Sequence, residues 1–397
     1  MNKFVSTMVA GAAALAIAGS ASAQTVTLRI TGSTAFRGAT HNAILAMLQT
    51  NRVYGYAGTS FTGAGQAQFI GTTIVGNIPV IIKTSWAGSV GGIQTLTQNR
   101  TDGSNTKWMN NDASLTVGGA SGLSSGPYDA PVTADVAMSD TFQGQTPYTS
   151  PTLTKVTVGV VPFAWVRNTG CPSGVDNMTT LQAQLFLASG SLPIGLFTGN
   201  TNDTVIVSLI GRDQDSGTRV VSFAEPAFGV FSAPFQNQLA VNGVFGANGS
   251  TTNSITGIQP YPDTTVLGDF YASPTAGYAS GGTVAGLLRT PNALTGAGTH
   301  IIGYVGISDA NTATNGASGA AYMKYNGVDY SEDAVRAGKY TFWSYEHLMY
   351  RSSLTGNSKT VADTLANTIK TVNISPAGIH LGTMGVSRQG EGLVVSP

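Results

Sequence analysis

The amino-acid sequence predicts an α/β fold built as two lobes, and three features predict it. Apolar strands are followed three times by a polar, Gly-containing turn and then by residues at helical spacing. Strands and helices alternate along much of the chain, the pattern of α/β layers. The length, 397 residues, exceeds what one small core needs and suits two lobes of ordinary domain size.

The first 23 residues read as a leader. Lys3 supplies positive charge, residues 4–18 are apolar and small, and Ala21-Ser22-Ala23 fits a small-residue cleavage site, with a mature start near Gln24. The apolar stretch is shorter than the ~20 residues a membrane span needs. The expectation is an exported protein, periplasmic or secreted, with a cleavable signal and no lipid-bearing cysteine. Cys171 is the only cysteine, so no internal disulfide forms.

Residues 25–30 alternate, with Val26, Leu28 and Ile30 on one face, and predict a strand. Thr31-Gly32-Ser33-Thr34 makes the turn, and Phe36, Thr40, Ala43, Ile44, Met47 and Leu48 then recur as in a helix. The second unit is a strand over 78–84, a turn through Gly88-Ser89 and a helix near 93–96. Residues 99–130 are rich in Gly, Ser, Asn and Asp and predict a long surface excursion. A short strand over 132–138 ends at Ser139-Asp140. Residues 158–166 predict a buried extended segment, in which Pro162 argues against a central strand position. Residues 178–189 look helical.

The third unit begins with a strand over 204–210. It turns through Gly211-Arg212-Asp213-Gln214-Asp215-Ser216-Gly217-Thr218 and enters a helix near Arg219. Residues 244–300 are read as loop-rich, and 301–307 as a strand. Residues 331–337 predict a short helix capped by Ser331, with Glu332 and Asp333 in its first turn. Residues 341–350 read as extended and 361–372 as a closing helix.

Composition narrows the function. Apolar residues make up 42% and charged residues only 10%, with 19 Lys+Arg against 19 Asp+Glu. No basic field for nucleic acid follows from that balance. The histidines, His41, His300, His347 and His380, are scattered and form no metal motif, so no metal or other cofactor is expected.

The three strand–turn–helix units carry the chemistry. A helix N-terminus offers unpaired N–H groups and the positive end of its dipole, which suits an anion. Ser and Thr add hydroxyls, and Gly lets backbone approach closely. Ser33, Thr34, Ser89, Ser216, Gly217 and Thr218 stand at such turns, and Arg212 adds a forked, charged donor.

The segment Arg212-Asp213-Gln214-Asp215-Ser216-Gly217-Thr218 resembles the Arg-x-x-x-Ser-Gly-Thr signature of periplasmic phosphate-binding proteins, the capturing components of phosphate ABC transporters. Other landmarks follow in order. Thr31 to Phe36 resembles the first phosphate loop, Gly88 to Gly92 a Ser-Gly-Gly turn, and Asp135 to Asp140 a strand ending in Ser-Asp. Residues 302–306 resemble an Ile-Gly-Tyr-Val stretch. The resemblance covers about residues 25–350 and departs at Val90, at Gln214 and in the tail after about Ser352.

That resemblance implies a type II periplasmic-binding-protein fold with a ligand cleft between the lobes. It assigns phosphate contacts to Thr34, Ala35 (through its N–H), Ser89, Asp140, Arg212, Ser216, Gly217 and Thr218. It implies inorganic phosphate as ligand, an inner-membrane ABC permease as partner, a monomer and no catalysis. Asp140 would accept a hydrogen bond from a protonated phosphate oxygen, which sulfate lacks, so sulfate would leave two acceptors face to face. The implied domains are lobe one over 24–160, lobe two over 161–340, and a return to lobe one with a tail over 341–397. Two other readings compete. Ala87 to Gly91 loosely resembles the nucleophile elbow of α/β-hydrolases, which would make Ser89 a catalytic serine. A secreted structural or adhesive protein would keep the fold without the ligand.

Overall fold

The computed structural model describes residues 24–101, 106–110, 112–124, 126–262 and 276–397, so the leader read over residues 1–23 lies outside the described residues. The fold is α/β with two lobes. Its main sheet runs in the order Ala120–Leu123, Val53–Ala57, Gln66–Thr72, Pro79–Trp86, Val26–Gly32, Val136–Ser139, Trp343–Tyr350, Thr154–Arg167, Thr299–Gly306, Ile206–Ile210, Ser191–Pro193.

Each lobe has a parallel heart. In the first, Val26–Gly32 pairs in parallel with Pro79–Trp86 on one side and with Val136–Ser139 on the other. In the second, Ile206–Ile210 pairs in parallel with Thr299–Gly306. The lobes are joined by Thr154–Arg167, whose first half pairs antiparallel with Trp343–Tyr350 and whose last five residues pair antiparallel with Thr299–Gly306.

Pro162 lies inside that long strand, contrary to the expectation from sequence. Its position explains the tolerance. Pro162 sits opposite Trp343, at the end of one ladder, and Phe163 opposite Gly306 begins the other. A missing N–H does least harm where the partner strand changes.

The helices start at the turns. Arg37–Met47 follows the first strand and Ser89–Gln98 the second, so the second helix begins four residues before the expected 93. Gly217–Ala224 follows Ile206–Ile210, with Ser216 as N-cap accepting from the Arg219 N–H at 3.2 Å. Thr179 caps Thr180–Ser189 with a reciprocal box to Gln182. Ser331 caps Glu332–Arg336, as its sequence predicts. The closing helix, Gly356–Ile369, buries Val361, Ala362, Leu365, Ala366 and Ile369 along one stripe against the first lobe.

Two segments differ from the loops expected of them. Within 99–130, Ala120–Leu123 adds a strand to the sheet edge, and Trp108 and Met109 are fully buried. Within 244–300, Ile255–Pro260 pairs with Asn237–Val241 in a small sheet, and Gly281–Leu288 is a helix whose Val284, Ala285, Leu287 and Leu288 are buried. Apolar burial decided both against their Gly-rich composition.

Candidate functional site

Each turn is shaped by a contact that excludes a side chain. Gly32 has φ +114°, and a Cβ there would lie 1.9 Å from the Met138 carbonyl oxygen. The chain then passes Ser33, whose N–H donates to that oxygen at 2.9 Å, and the buried Thr34 and Ala35. Gly88 has φ +130°, and its Cβ would fall 2.2 Å from the carbonyl oxygen of Asp215, which belongs to the other lobe. Both positions require glycine.

The first lobe contributes Asp140, at the end of Val136–Ser139, and Ser89, the first residue of its helix. Ser89 Oγ donates to Asp140 Oδ1 at 2.6 Å, and Ser33 Oγ approaches Oδ2 at 3.4 Å. The second lobe presses Gly217 against this pair. A Cβ on Gly217 would stand 1.7 Å from Asp140 Oδ1 and 2.7 Å from Ser89 Cβ. Thr218 follows in the same helical turn and is buried.

Arg212 is fully buried. Its Nε donates to the Tyr278 carbonyl at 3.0 Å and its Nη2 to the Ala279 carbonyl at 2.9 Å. Only Nη1 reaches across the lobes, to Thr34 Oγ1 at 3.3 Å. The fork expected to grip an oxyanion is therefore largely spent on positioning, which leaves one edge directed at the site. The Tyr304 hydroxyl accepts from the Arg212 N–H at 3.1 Å.

Seven of the eight residues singled out in the sequence thus lie at the boundary between lobes, and Thr218 is buried in the turn beside Gly217; each is 4% exposed or less where a side chain exists to measure. Ser89, Asp140 and Gly217 form one contact group; Thr34 and Arg212 form another. Ala35 faces Gly306 of the second lobe, whose added Cβ would lie 2.8 Å from the Ala35 Cβ. The helix N-terminus at Ser89 is covered by protein: the Val90 and Gly91 N–H groups donate to the Asp215 carbonyl at 2.9 and 3.2 Å.

Burial pushes the Asp140 carboxyl up, and the Ser89 hydrogen bond and the Arg212 charge offset part of that rise. Behind it stand two carboxyls that sequence reasoning missed. Glu346, on the returning strand, is pushed well above the carboxylate range by burial, and the charge of Asp140 adds to that. Glu391, in the tail, is pushed up to about 7, first by burial, although it accepts from the Phe142 N–H at 2.6 Å. No local pattern marks either residue, because a lone Glu in a strand or a tail usually faces water.

A raised folded-state pKa makes protonation favour the fold. The contribution of Glu391 is fully present below its unfolded pKa near 4.3 and is lost as pH rises through about 7. Glu391→Gln, which keeps an acceptor for Phe142, is expected to remove that part of the pH dependence. Thermal melts from pH 4.5 to 8 should show the variant gaining on the parent by up to roughly 3 kcal/mol at the alkaline end. Parallel curves would show that Glu391 does not titrate in this window.

Two of the histidines are engaged away from Ser89. His41 Nδ1 meets the Phe61 carbonyl and Nε2 receives the Trp86 indole N–H at 2.8 Å; His347 Nδ1 meets Thr157 Oγ1 at 3.1 Å. The acceptor of the Ser89 hydroxyl is a carboxylate, which does not match the Ser–His pair a hydrolase needs. Among the described residues no group of three His, Cys, Asp or Glu side chains is arranged to hold a metal ion, and no helix is long and apolar enough to cross a membrane.

No family model and no curated protein matches this sequence. Solved structures do. One described as a phosphate ABC transporter substrate-binding protein, with bound phosphate, from Clostridium perfringens is 13% identical, with a TM-score of 0.48 over 86% of this chain and 93% of that one. An ABC-type phosphate transport receptor from Vibrio cholerae is 12% identical, with a TM-score of 0.40 over 86% and 93%. The reduced OxyR regulatory domain from Pseudomonas aeruginosa is 7% identical, with a TM-score of 0.38 over 86% and 96%. A shared fold does not by itself specify a ligand.

Proposed function

We propose that the protein is a binding protein that captures inorganic phosphate, or a similar tetrahedral oxyanion, in the cleft between its lobes, without bond-making chemistry. One observation carries the reading. Thr34, Ser89 and Asp140 from one lobe meet Arg212, Ser216 and Gly217 from the other at a single buried boundary. Hydroxyls, backbone N–H groups and one guanidinium edge are the donors a dehydrated oxyanion requires. Asp140, as the ionised carboxylate, is the acceptor that selects a protonated oxygen. Lobe one comprises residues 24–160 and the return over 341–397; lobe two comprises 161–340. Entry of the ligand opens this boundary, and the anion then replaces the contacts between Ser89, Asp140 and Gly217 as the lobes close. The protein is exported, acts as a monomer and hands its ligand to a membrane permease.

A second reading is favoured by a specific observation. The site's donors already have protein partners: Asp215 covers the Ser89 helix terminus, and carbonyls hold two edges of Arg212. A protein that kept the fold without the ligand would show that arrangement. Calorimetry with phosphate, sulfate, tungstate and molybdate separates the two. Phosphate is expected to bind and to raise Tm by mass action, and Arg212→Ala is expected to remove both effects. Asp140→Asn should narrow the preference for phosphate over sulfate. Absence of any heat or Tm shift at millimolar phosphate would establish the ligand-free reading.

A further inference from the structure

We propose that the captured molecule is a phosphorylated polyol, with Arg37 and Asp309 reading the hydroxyls beyond the phosphate. This rests on the phosphate reading above and narrows its substrate class. The starting observation is a cavity of about 240 Å³ that begins at Thr34 and Ala35, the residues of the first phosphate loop, and runs outward between the lobes. That is many times the ~30 Å³ that one water occupies, and more than a lone tetrahedral anion seated at Thr34 would use.

The charged groups in its wall are one cation and one anion. Arg37 opens the Arg37–Met47 helix of the first lobe, and Asp309 lies on the Ile307–Thr314 helix of the second. Their side chains are 9% exposed each, and they approach only to 3.6 Å, beyond hydrogen-bond length. Arg37 donates no hydrogen bond to any described residue, and Asp309 Oδ2 has no hydrogen-bond partner among them. Buried donors and acceptors of this kind are costly to leave unmade. The rest of the wall includes the hydroxyls of Thr62 and Thr312.

The charges decide the class of extension. Arg37 and Asp309 cancel, so the cavity attracts no second anion; a second phosphate would also face the Asp309 carboxylate. An alkyl chain would leave both charged groups unsatisfied. Hydroxyl groups donate to Asp309 and accept from Arg37 at once. Because the pair spans both lobes, a ligand that bridges them favours closure.

Calorimetry on the full chain with inorganic phosphate, glycerol 3-phosphate and pyrophosphate tests this, with the ratio of affinities as the readout. Glycerol 3-phosphate is expected to bind at least tenfold tighter than phosphate. Arg37→Met is expected to collapse that ratio toward one, and so is Thr312→Trp, an exposed wall position where the larger side chain fills the cavity without disturbing the core. Equal affinities, or a ratio that survives Thr312→Trp, would overturn the polyol assignment while leaving phosphate capture standing. Tightest binding by pyrophosphate would overturn it in favour of a diphosphate. Failure of inorganic phosphate itself to bind would instead remove the underlying reading, and this inference with it.

Discussion

Gly217→Ala is expected to abolish phosphate binding and to destabilise the protein by about 1–3 kcal/mol, the range for overpacking a filled interior. The added Cβ would stand 1.7 Å from Asp140 Oδ1 and 2.8 Å from Ser89 Oγ. Neither can retreat easily, because each is buried and Asp140 is held through Ser89 and Ser33. Alanine has the better helix propensity, by about 1 kcal/mol, so any loss must come from the contact between lobes. Gly144→Ala is the control, since a Cβ there meets nothing within 4 Å. Denaturant unfolding of both variants, with and without phosphate, gives the comparison. A Gly217→Ala protein with parental stability and affinity would mean that the lobes do not close on this helix.

The three strand–turn–helix units were legible because their period changes from two to about 3.6 across a Gly-containing turn. Ser89 and Ser216 therefore fall at the starts of helices that pack on parallel strands, whereas Ser33 lies in the turn four residues ahead of the helix Arg37–Met47. Other parts gave no such signal. Val53–Ala57 and Gln66–Thr72 are short and interrupted by Gly and Gln, and they become strands through their ladder with each other and that of Gln66–Thr72 with Pro79–Trp86. Gly281–Leu288 opens with Gly-Gly-Thr, which reads as loop until its Val284 and Leu287 find the second core. At the site, the residue types were readable but their partners were not. The carbonyls of Tyr278 and Ala279 that hold Arg212 lie 66 and 67 residues away in sequence. The acceptor for the Ser89 N-terminal amides is a backbone oxygen of the opposite lobe, which no side-chain pattern encodes.

Arg388→Ala is expected to have the largest effect on stability, about 3–5 kcal/mol, because it would leave a buried carboxylate without its partner. Arg388 lies in the tail, where sequence reasoning found little. Its Nη1 meets Glu225 Oε2 at 2.9 Å, with the two side chains only 1% and 8% exposed. It also donates to the carbonyls of Trp343 at 3.0 Å and Thr341 at 2.6 Å, and its guanidinium lies 4.1 Å from the centre of the Trp343 ring. Glu225 ends the Gly217–Ala224 helix, and Trp343 begins the returning strand, so one side chain fastens the tail to the helix at the cleft and to the strand between lobes. Lysine in its place keeps the charge but not the planar fork, and an intermediate loss is expected. The decisive comparison is a double-mutant cycle with Glu225→Gln. If the damage in Arg388→Ala is mainly an orphaned charge, Glu225→Gln should recover a large share of it, whereas additive losses would mean that packing on Trp343 and the two carbonyl bonds hold the tail instead.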